Sequence, residues 1–198
     1  MDVWGEIVKA AASMSVLEIV GVFFGVLSVW FSKKENILVY PTGLVSVLVY
    51  VYLCFNAGLY ADMGINAFYF VMSIYGWYNW LKPVKSKALE ISRNTLSQNF
   101  GYVMVVGFLW LILYFILSNF TDSTVPYLDS LTTAICLVGM WLMALKKIEN
   151  WVMWIIADLI SVPLYWYKEL PLSSIQFAVF TALAVSGYIE WRGKLKKT

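Results

Sequence analysis

The sequence predicts an all-α polytopic membrane protein with seven transmembrane helices, and three observations carry this prediction. Of the 198 residues, 61% are hydrophobic and only 13% are charged, whereas soluble domains carry about 25% charged residues. The apolar residues fall into seven runs of nearly membrane-spanning length, and the basic residues concentrate in alternate loops between them. A soluble protein of this size has too much surface to bury so many apolar side chains, so lipid is the predicted solvent.

Each apolar run is long enough, or nearly so, to cross a bilayer as a helix. Crossing a hydrocarbon core of about 30 Å takes roughly 20 residues, and a lipid-facing backbone must satisfy its own hydrogen bonds. Residues 1–15 precede the first run; with two acids and one lysine they are predicted to form an amphipathic segment rather than a signal peptide. The predicted spans are 16–31, 37–55, 63–81, 100–118, 128–145, 151–167 and 172–191.

The basic residues predict the orientation. Cytoplasmic loops carry an excess of Lys and Arg, and here the two alternating sets of loops hold twelve and two. An N-terminus outside and a C-terminus in the cytoplasm are therefore expected. The richer set holds Lys33, Lys34, Lys82, Lys85, Lys87, Arg93, Lys146, Lys147, Arg192, Lys194, Lys196 and Lys197, and the poorer set holds Lys9 and Lys168.

An internal repeat predicts a 3+1+3 arrangement. A Lys-Lys pair followed by Glu-Asn opens both the second and the sixth span, and a Gly-x-x-x-Trp sequence ends both the third and the seventh. A single linking helix between the triplets makes the repeat parallel. The predicted segments are an amphipathic segment (1–15), a first triple-helix bundle (16–81), a cytoplasmic connector with linking helix and outer loop (82–127), a second bundle (128–191) and a basic cytoplasmic tail (192–198).

The sixth span carries the first group of candidate binding residues. Asp158 is the one ionisable residue deep inside a predicted span, and a carboxylate at that depth should face protein or water. Trp151, Trp154, Ser161 and Tyr165 share its helix face, so indoles leading to an acid are predicted to hold a cationic or strongly dipolar ring. The alternatives are an interface anchor for Trp151 and a structural hydrogen bond for Asp158.

The third span offers a matching face of Asn66, Tyr69, Ser73 and Trp77. Polar and aromatic groups aligned in this way are either pocket lining or hydrogen-bonding contacts between helices. Two further candidates complete the predicted site. They are Gln176, the one amide of the seventh span, and Tyr40, which the motif alignment pairs with Trp154.

Composition excludes several other functions. The chain has no histidine, so triads, HExxH zinc sites and haem ligation by histidine are not expected. Its two cysteines lack CxxC spacing, no Walker A loop is present, and the last span lacks the lysine that a retinal protein needs. An enzyme, a pump and a nucleic-acid-binding protein are therefore disfavoured, and no cofactor or metal is predicted.

The residues of the sixth span also resemble a known family. The sequence from Glu149 to Pro163, with Trp151, Trp154 and Asp158 in WxxWxxxD spacing, is similar to the WxxWxxx(N/D) signature of PnuC-family vitamin transporters, and the Gly76–Trp80 ending resembles that family too. This resemblance implies a SWEET-like fold, a possible homotrimer and a bacterial inner-membrane location. It implies facilitated diffusion of an unphosphorylated B-vitamin, which a cytoplasmic kinase then traps.

The resemblance leaves the substrate open between two cations. Nicotinamide riboside members of the family carry Asn where this chain has Asp158. The signature sequence of this chain is more similar to that of the thiamine-type PnuT branch. Thiamine is therefore slightly favoured, nicotinamide riboside is the alternative, and riboflavin or a sugar is less expected. Both cations have an aromatic ring that would suit paired indoles and a carboxylate.

Overall fold

The computed structural model describes residues 12–82 and 89–195, together with positions 5, 7 and 8. Most of the predicted amphipathic segment, part of the connector and residues 196–198 lie outside the described residues. The described part of the chain forms seven α-helices. They are α1 (Val16–Lys33), α2 (Val39–Asn56), α3 (Tyr60–Leu81), α4 (Leu96–Phe120), α5 (Pro126–Ala144), α6 (Glu149–Tyr167) and α7 (Pro171–Leu195).

Five of the described helices, α1, α2, α4, α5 and α7, are long and apolar enough to cross a membrane. The other two, α3 and α6, are long as well, but polar residues such as Asn66 and Asp158 lower their mean hydropathy. These two helices carry eight of the ten predicted binding residues, all except Tyr40 and Gln176. The less apolar helices are thus the ones predicted to line the site.

Local capping sets the helix boundaries more sharply than hydropathy does. The Ser15 hydroxyl accepts from the Glu18 amide at 3.2 Å while the Glu18 carboxylate accepts from the Ser15 amide at 2.6 Å, and Thr95 and Gln98 form the same capping box. Because this box starts the helix, α4 begins four residues before the predicted span. At the C-terminal end of the described residues, α7 runs to Leu195, so residues 192–195 are helical rather than part of a separate tail.

Six helices form a closed ring. Going round it, α1 packs on α2, α2 on α3, α3 on α5, α5 on α6, α6 on α7, and α7 on α1. The helix α4 packs against α5, and none of its residues is buried. We refer to α1–α3 as the first triplet and to α5–α7 as the second triplet; they meet along α3–α5 and along α7–α1.

The two triplets repeat the same backbone turns at a spacing of 111 residues. In the α1–α2 turn the Asn36 amide donates to Phe31 O at 2.9 Å, and in the α5–α6 turn the Lys147 amide donates to Leu142 O at 2.9 Å. The turn after α2 and the turn after α6 also match, since Gly58 and Glu169 both have positive φ, 72° and 59°. The backbone repeat is therefore continuous from α1 to α3.

This register corrects one pairing that the motifs predict. Aligning the two Glu-Asn motifs pairs Tyr40 with Trp154, but at the backbone spacing Tyr40 corresponds to Trp151. A Cβ built at Gly76 would lie 2.5 Å from the Tyr40 hydroxyl, and one built at Gly187 would lie 2.7 Å from the Trp151 ring. Both glycines are required because a large ring packs directly on the helix backbone.

Candidate functional site

The interior of the ring is filled at one end by four aromatic side chains, which we call the aromatic plug. All four are at most 6% exposed. The Tyr40 and Trp80 rings lie edge to face at 5.2 Å, and the Trp151 and Trp191 rings do the same at 5.5 Å. The plug consists of Tyr40, Trp80, Trp151 and Trp191, and we call its end of the ring the plug end.

The two tryptophans at the ends of α3 and α7 tie the triplets together. The Trp80 indole N–H donates to Met143 O at 3.2 Å, and the Trp191 indole N–H donates to Ser32 O at 3.2 Å. Each bond crosses from one triplet to the carbonyls at the end of a helix in the other, where such carbonyls lack an intrahelical partner. The Gly-x-x-x-Trp endings are visible in the sequence, but neither of these tryptophans is among the predicted binding residues.

Trp151 lies at a different place from the one expected for it. The sequence groups Trp151 and Trp154 as one cage beside Asp158, but Trp151 packs against Gly187 and Trp191 in the plug. It lies two helical turns from Asp158, about 10 Å along α6 at 1.5 Å per residue. In this conformation its ring is occupied by protein contacts and lies below the acid rather than beside it.

A central cluster of Tyr69, Cys136 and Asp158 lies between the plug and the opposite end of the ring. Asp158 is 4% exposed, and none of the ion pairs among the described residues includes it. The Tyr69 hydroxyl and the Cys136 thiol are close enough to interact, and Asp158 is close enough to interact electrostatically with both. Three helices, α3, α5 and α6, thus meet at a buried acid that has no described cation beside it.

Cys136 is the member of this cluster that the sequence analysis missed. A cysteine inside an apolar run resembles an ordinary core residue, and no candidate was assigned to α5. The pairing of the two triplets by α3 and α5 brings this thiol to Tyr69. The spacing of polar residues along one helix gives no signal for such a contact.

Trp154 lies flat against α5 because residue 139 is glycine. A Cβ at Gly139 would lie 3.4 Å from the Trp154 indole and 3.2 Å from Met153 Cβ. The partly buried rings of Tyr69, Trp77 and Trp154 pack against the aromatic plug. Trp154 therefore lies above the plug on α6, one turn from Asp158.

The remaining candidates of α3 divide between the interior and their own helix. Ser73 is 3% exposed and Trp77 is half-buried, so both belong to the interior face. The Asn66 amide instead donates to Asp62 O of the preceding turn at 2.9 Å. Asn66 thus satisfies its donor within α3, as polar residues in membrane helices commonly do.

The opposite end of the ring carries the last two candidates. Gln176 lies close enough to Tyr50 of α2 to interact with its hydroxyl. The Tyr165 ring lies 4.8 Å from the Phe177 ring and under the Lys168 ammonium at 5.5 Å. Lys168 pairs with Asp129 at 2.6 Å. This end is therefore polar, in contrast to the aromatic plug.

The arrangement is suited to binding a cation. No group of three metal-ligating side chains occurs among the described residues, and the central cluster offers one acid with no second acid or base beside it. A buried carboxylate is stabilised when a cation pairs with it. Aromatic rings above and beside it add attraction for a flat cation.

Five described helices that are apolar enough to cross a bilayer indicate a multi-pass membrane protein with a buried polar cluster at its centre. Comparison with known proteins agrees: a family model described as nicotinamide mononucleotide transporter matches residues 15–193. The chain belongs to this family, that of the PnuC transporters, and is a multi-pass membrane protein.

Individual relatives support the assignment. The nicotinamide riboside transporter PnuC of Escherichia coli (strain K12) is 25% identical over 204 residues, covering 90% of this chain and 85% of that protein. The riboflavin/roseoflavin transporter RibM of Streptomyces davaonensis is 21% identical over 178 residues, covering 88% and 83%. The crystal structure of the vitamin B3 transporter PnuC matches with a TM-score of 0.76 at 26% identity, covering 97% of this chain and 87% of that one.

Proposed function

We propose that this protein carries nicotinamide riboside, an unphosphorylated vitamin with a cationic aromatic ring, across the bacterial inner membrane. The observation that carries the proposal is Asp158, a carboxylate 4% exposed in the middle of α6 with no ion-pair partner among the described residues. A pyridinium ring supplies the missing positive charge. Trp154, one turn away, adds a cation–π contact of about 0.5–2 kcal/mol.

The relatives favour nicotinamide riboside over thiamine. The sequence leans slightly to thiamine, but the transporters reported above are named for nicotinamide riboside, riboflavin and vitamin B3. The names of the relatives thus support the alternative cation. The family description names the phosphorylated mononucleotide; its phosphate would meet the carboxylate of Asp158 in the central cluster, which disfavours it.

Within this proposal, ten residues contribute to the passage of the substrate. Asp158, Trp154 and Tyr69 contact the ring, and the plug residues Tyr40 and Trp151 become available when the plug opens. The other proposed contacts line the interior above and beside these, and they are Asn66, Ser73, Trp77, Tyr165 and Gln176.

All seven helices are proposed to cross the membrane as a parallel 3+1+3 repeat of the SWEET type, with α4 as the linking helix. Support comes from the shared turn geometry and from the equivalent contacts of α3 with α5 and of α7 with α1. The first triplet then spans 16–81 and the second 128–191. The connector 82–127 carries α4 between them.

The plug end is proposed to face the cytoplasm. Lys34, Lys146 and Lys194 form their ion pairs at this end, whereas Lys168 pairs at the opposite end, and cytoplasmic loops are rich in Lys and Arg. Transport would then be facilitated diffusion, with a cytoplasmic kinase trapping the vitamin. The same proposal includes a homotrimer. It includes no cofactor and no catalytic activity.

Ligand binding to the purified protein tests the proposal. Ten tryptophans make intrinsic fluorescence quenching a direct readout, and the panel is nicotinamide riboside, nicotinamide mononucleotide, thiamine and riboflavin. Nicotinamide riboside is expected to bind most tightly. In Asp158→Ala, which removes the charge together with both side-chain oxygens, its Kd should rise about tenfold, equivalent to roughly 1.4 kcal/mol.

Asp122→Ala is the matched control, since it makes the same chemical change at an exposed position. It should leave every Kd unchanged. Tighter binding of thiamine or riboflavin would reject the substrate assignment. An unchanged Kd for nicotinamide riboside in Asp158→Ala would remove the acid from the site.

A further inference from the structure

Two non-glycine residues with left-handed backbone occupy equivalent positions at the plug end. Glu35 in the α1–α2 turn has φ 58°, and Lys146 in the α5–α6 turn has φ 51°. Each amide donates to the carbonyl three residues earlier at 3.0 Å, Glu35 to Ser32 and Lys146 to Met143. Residues with a Cβ rarely adopt this conformation, and glycine would satisfy such a turn with less strain. We therefore expect the Glu35 and Lys146 side chains to have a specific function.

These two side chains carry opposite charges and meet between the triplets. The Lys146 ammonium lies 2.8 Å from one carboxylate oxygen of Glu35, and the side chains are 7% and 24% exposed. The second carboxylate oxygen pairs with Lys194 at 3.2 Å. Lys146 also donates to Leu89 O at 2.9 Å and lies 4.5 Å from the centre of the Trp80 ring. The pair thus joins the two turns directly over the aromatic plug.

The short segment after the undescribed part of the connector holds the lysine turn in place. The Ser92 amide donates to Lys146 O at 3.1 Å, and the Ile148 amide donates to Ser92 O at 3.0 Å. Leu89 and Ile91 pack against the buried core beneath. Lys146 is therefore fixed by its backbone as well as by its side chain.

The ion pairs of the described residues differ between the two ends of the ring. The three that join one triplet to the other, Lys34–Glu190, Lys146–Glu35 and Lys194–Glu35, all lie at the plug end. The Lys168–Asp129 pair at the opposite end lies within the second triplet. The triplets are thus tied by charge at the plug end, so a rigid-body movement of one against the other would part them there only after these pairs break.

We propose that Glu35 and Lys146 form the gate of the plug end, and that their ion pair must separate before the plug can open and release the substrate. The proposal rests on the carrier function proposed above. Tyr40 and Trp151 support it, because the Tyr40 hydroxyl and the Trp151 indole N–H are buried without a hydrogen-bond partner among the described residues. Since unpartnered donors weaken a packed state, the ion pair above them contributes to keeping this end shut.

Thiol labelling from the plug end tests the gate without any vitamin. Cys136 in the central cluster serves as the reporter in a Cys54→Ala background, because these are the two cysteines of the chain. A membrane-impermeant cationic thiosulfonate is applied to inside-out and right-side-out vesicles. Separate vesicles carrying Arg192→Cys, an exposed position of α7 at the plug end, identify the preparation in which that end faces the reagent.

Opening the gate should expose Cys136 to the reagent. In Glu35→Gln and in Lys146→Met the labelling rate from the plug end should rise about tenfold, because either change breaks the partly buried Lys146–Glu35 pair. In Lys146→Met, Glu35 keeps only the more exposed Lys194 as its partner. The double variant should label no faster than the faster single variant, since two groups that act through one contact are not additive. Lys34→Met, which breaks the exposed Lys34–Glu190 pair on the same face, should stay within about twofold of the parent.

Labelling at the parent rate in both single variants would overturn the gate, and so would an equal rise in Lys34→Met. Rates that multiply in the double variant would show that the two residues act independently, which also overturns it. If Lys146→Met does not fold, Glu35→Gln alone decides, because glutamine keeps the shape of glutamate. If nicotinamide riboside does not bind but the labelling rates rise as expected, the substrate assignment is rejected and the gate proposal is retained.

Discussion

The two triplets are alike in their turns and differ at the centre of the molecule. Both make the same turn hydrogen bonds and pack a large ring on a glycine, yet only the second triplet carries an acid at depth. At the 111-residue spacing the second triplet has Cys136, Trp154 and Asp158 where the first has Gly25, Gly43 and Val47. The frame is thus repeated, whereas the polar site is built mainly on one side.

The exchange of small and large residues shows how one frame accommodates both arrangements. In the first triplet Ser28 faces Gly43, and a Cβ built on that glycine would lie 3.0 Å from the serine hydroxyl. In the second triplet the corresponding residues are Gly139 and Trp154, so the large side chain comes from the other helix. The glycine at position 139 leaves space for the larger ring on the facing helix, and this exchange places an indole one turn from the buried acid.

The strongest test of the repeat is to fill its two glycine contacts. Gly76→Ala and Gly187→Ala should each lower stability by about 2 kcal/mol, or roughly 5 °C in Tm, because Tyr40 and Trp151 are fully packed and cannot move aside. Thermal unfolding in detergent, followed by tryptophan fluorescence, measures both.

Each of these variants has a control on its own helix. Among the described residues, no side chain lies within 4 Å of a Cβ built at Gly64 of α3 or at Gly193 of α7, so alanine there should leave Tm unchanged or slightly higher. A large loss in one triplet and none in the other would show that the two packing contacts are not equivalent.

A smaller effect is expected where the triplets differ, at Trp154. Trp154→Leu should raise the Kd for nicotinamide riboside about tenfold, roughly 1.4 kcal/mol, because it removes the ring one turn from Asp158. Isothermal titration calorimetry measures it without relying on the altered fluorescence.

Trp30→Leu provides the comparison for Trp154. Trp30 is 45% exposed and its ring lies under the ammonium groups of Lys33 and Lys34 at 4.8 and 5.7 Å, as expected of a tryptophan near the membrane surface. The Kd of the Trp30→Leu variant for nicotinamide riboside should stay at the wild-type value. Equal losses in the two variants would mean that Trp154 acts through general packing rather than at the site.

The sequence predicts the helices well and the register of the repeat less well. Apolar runs locate all seven described helices because hydropathy depends on composition, which is local. The Glu-Asn motifs, however, place Tyr40 opposite Trp154, while the backbone places it opposite Trp151. The turns that set the register have left-handed residues as different as Glu35 and Lys146, so the side chains do not reveal the match.

Prediction of the candidate site from the sequence is limited in the same way. Periodicity along one helix correctly places Asp158 and Ser161 on a buried face of α6, because a helix presents its residues at fixed angles. It gives no information on which helix lies opposite. Cys136 on α5 and the separation of Trp151 from Trp154 both depend on packing between helices, which the sequence of one span does not encode.

The smallest predicted effect concerns Gly139, which supports Trp154 from α5. A Cβ there would approach Met153 Cβ at 3.2 Å and the indole at 3.4 Å, so Gly139→Ala should push the ring by a few tenths of an ångström and weaken nicotinamide riboside binding about threefold, roughly 0.7 kcal/mol. Gly107→Ala on α4, with nothing within 4 Å of its Cβ, should leave the Kd unchanged. In a Trp154→Leu background Gly139→Ala should have no further effect, because the ring that it displaces is gone. A loss that persists in that background would show that Gly139 acts on the fold rather than by positioning Trp154.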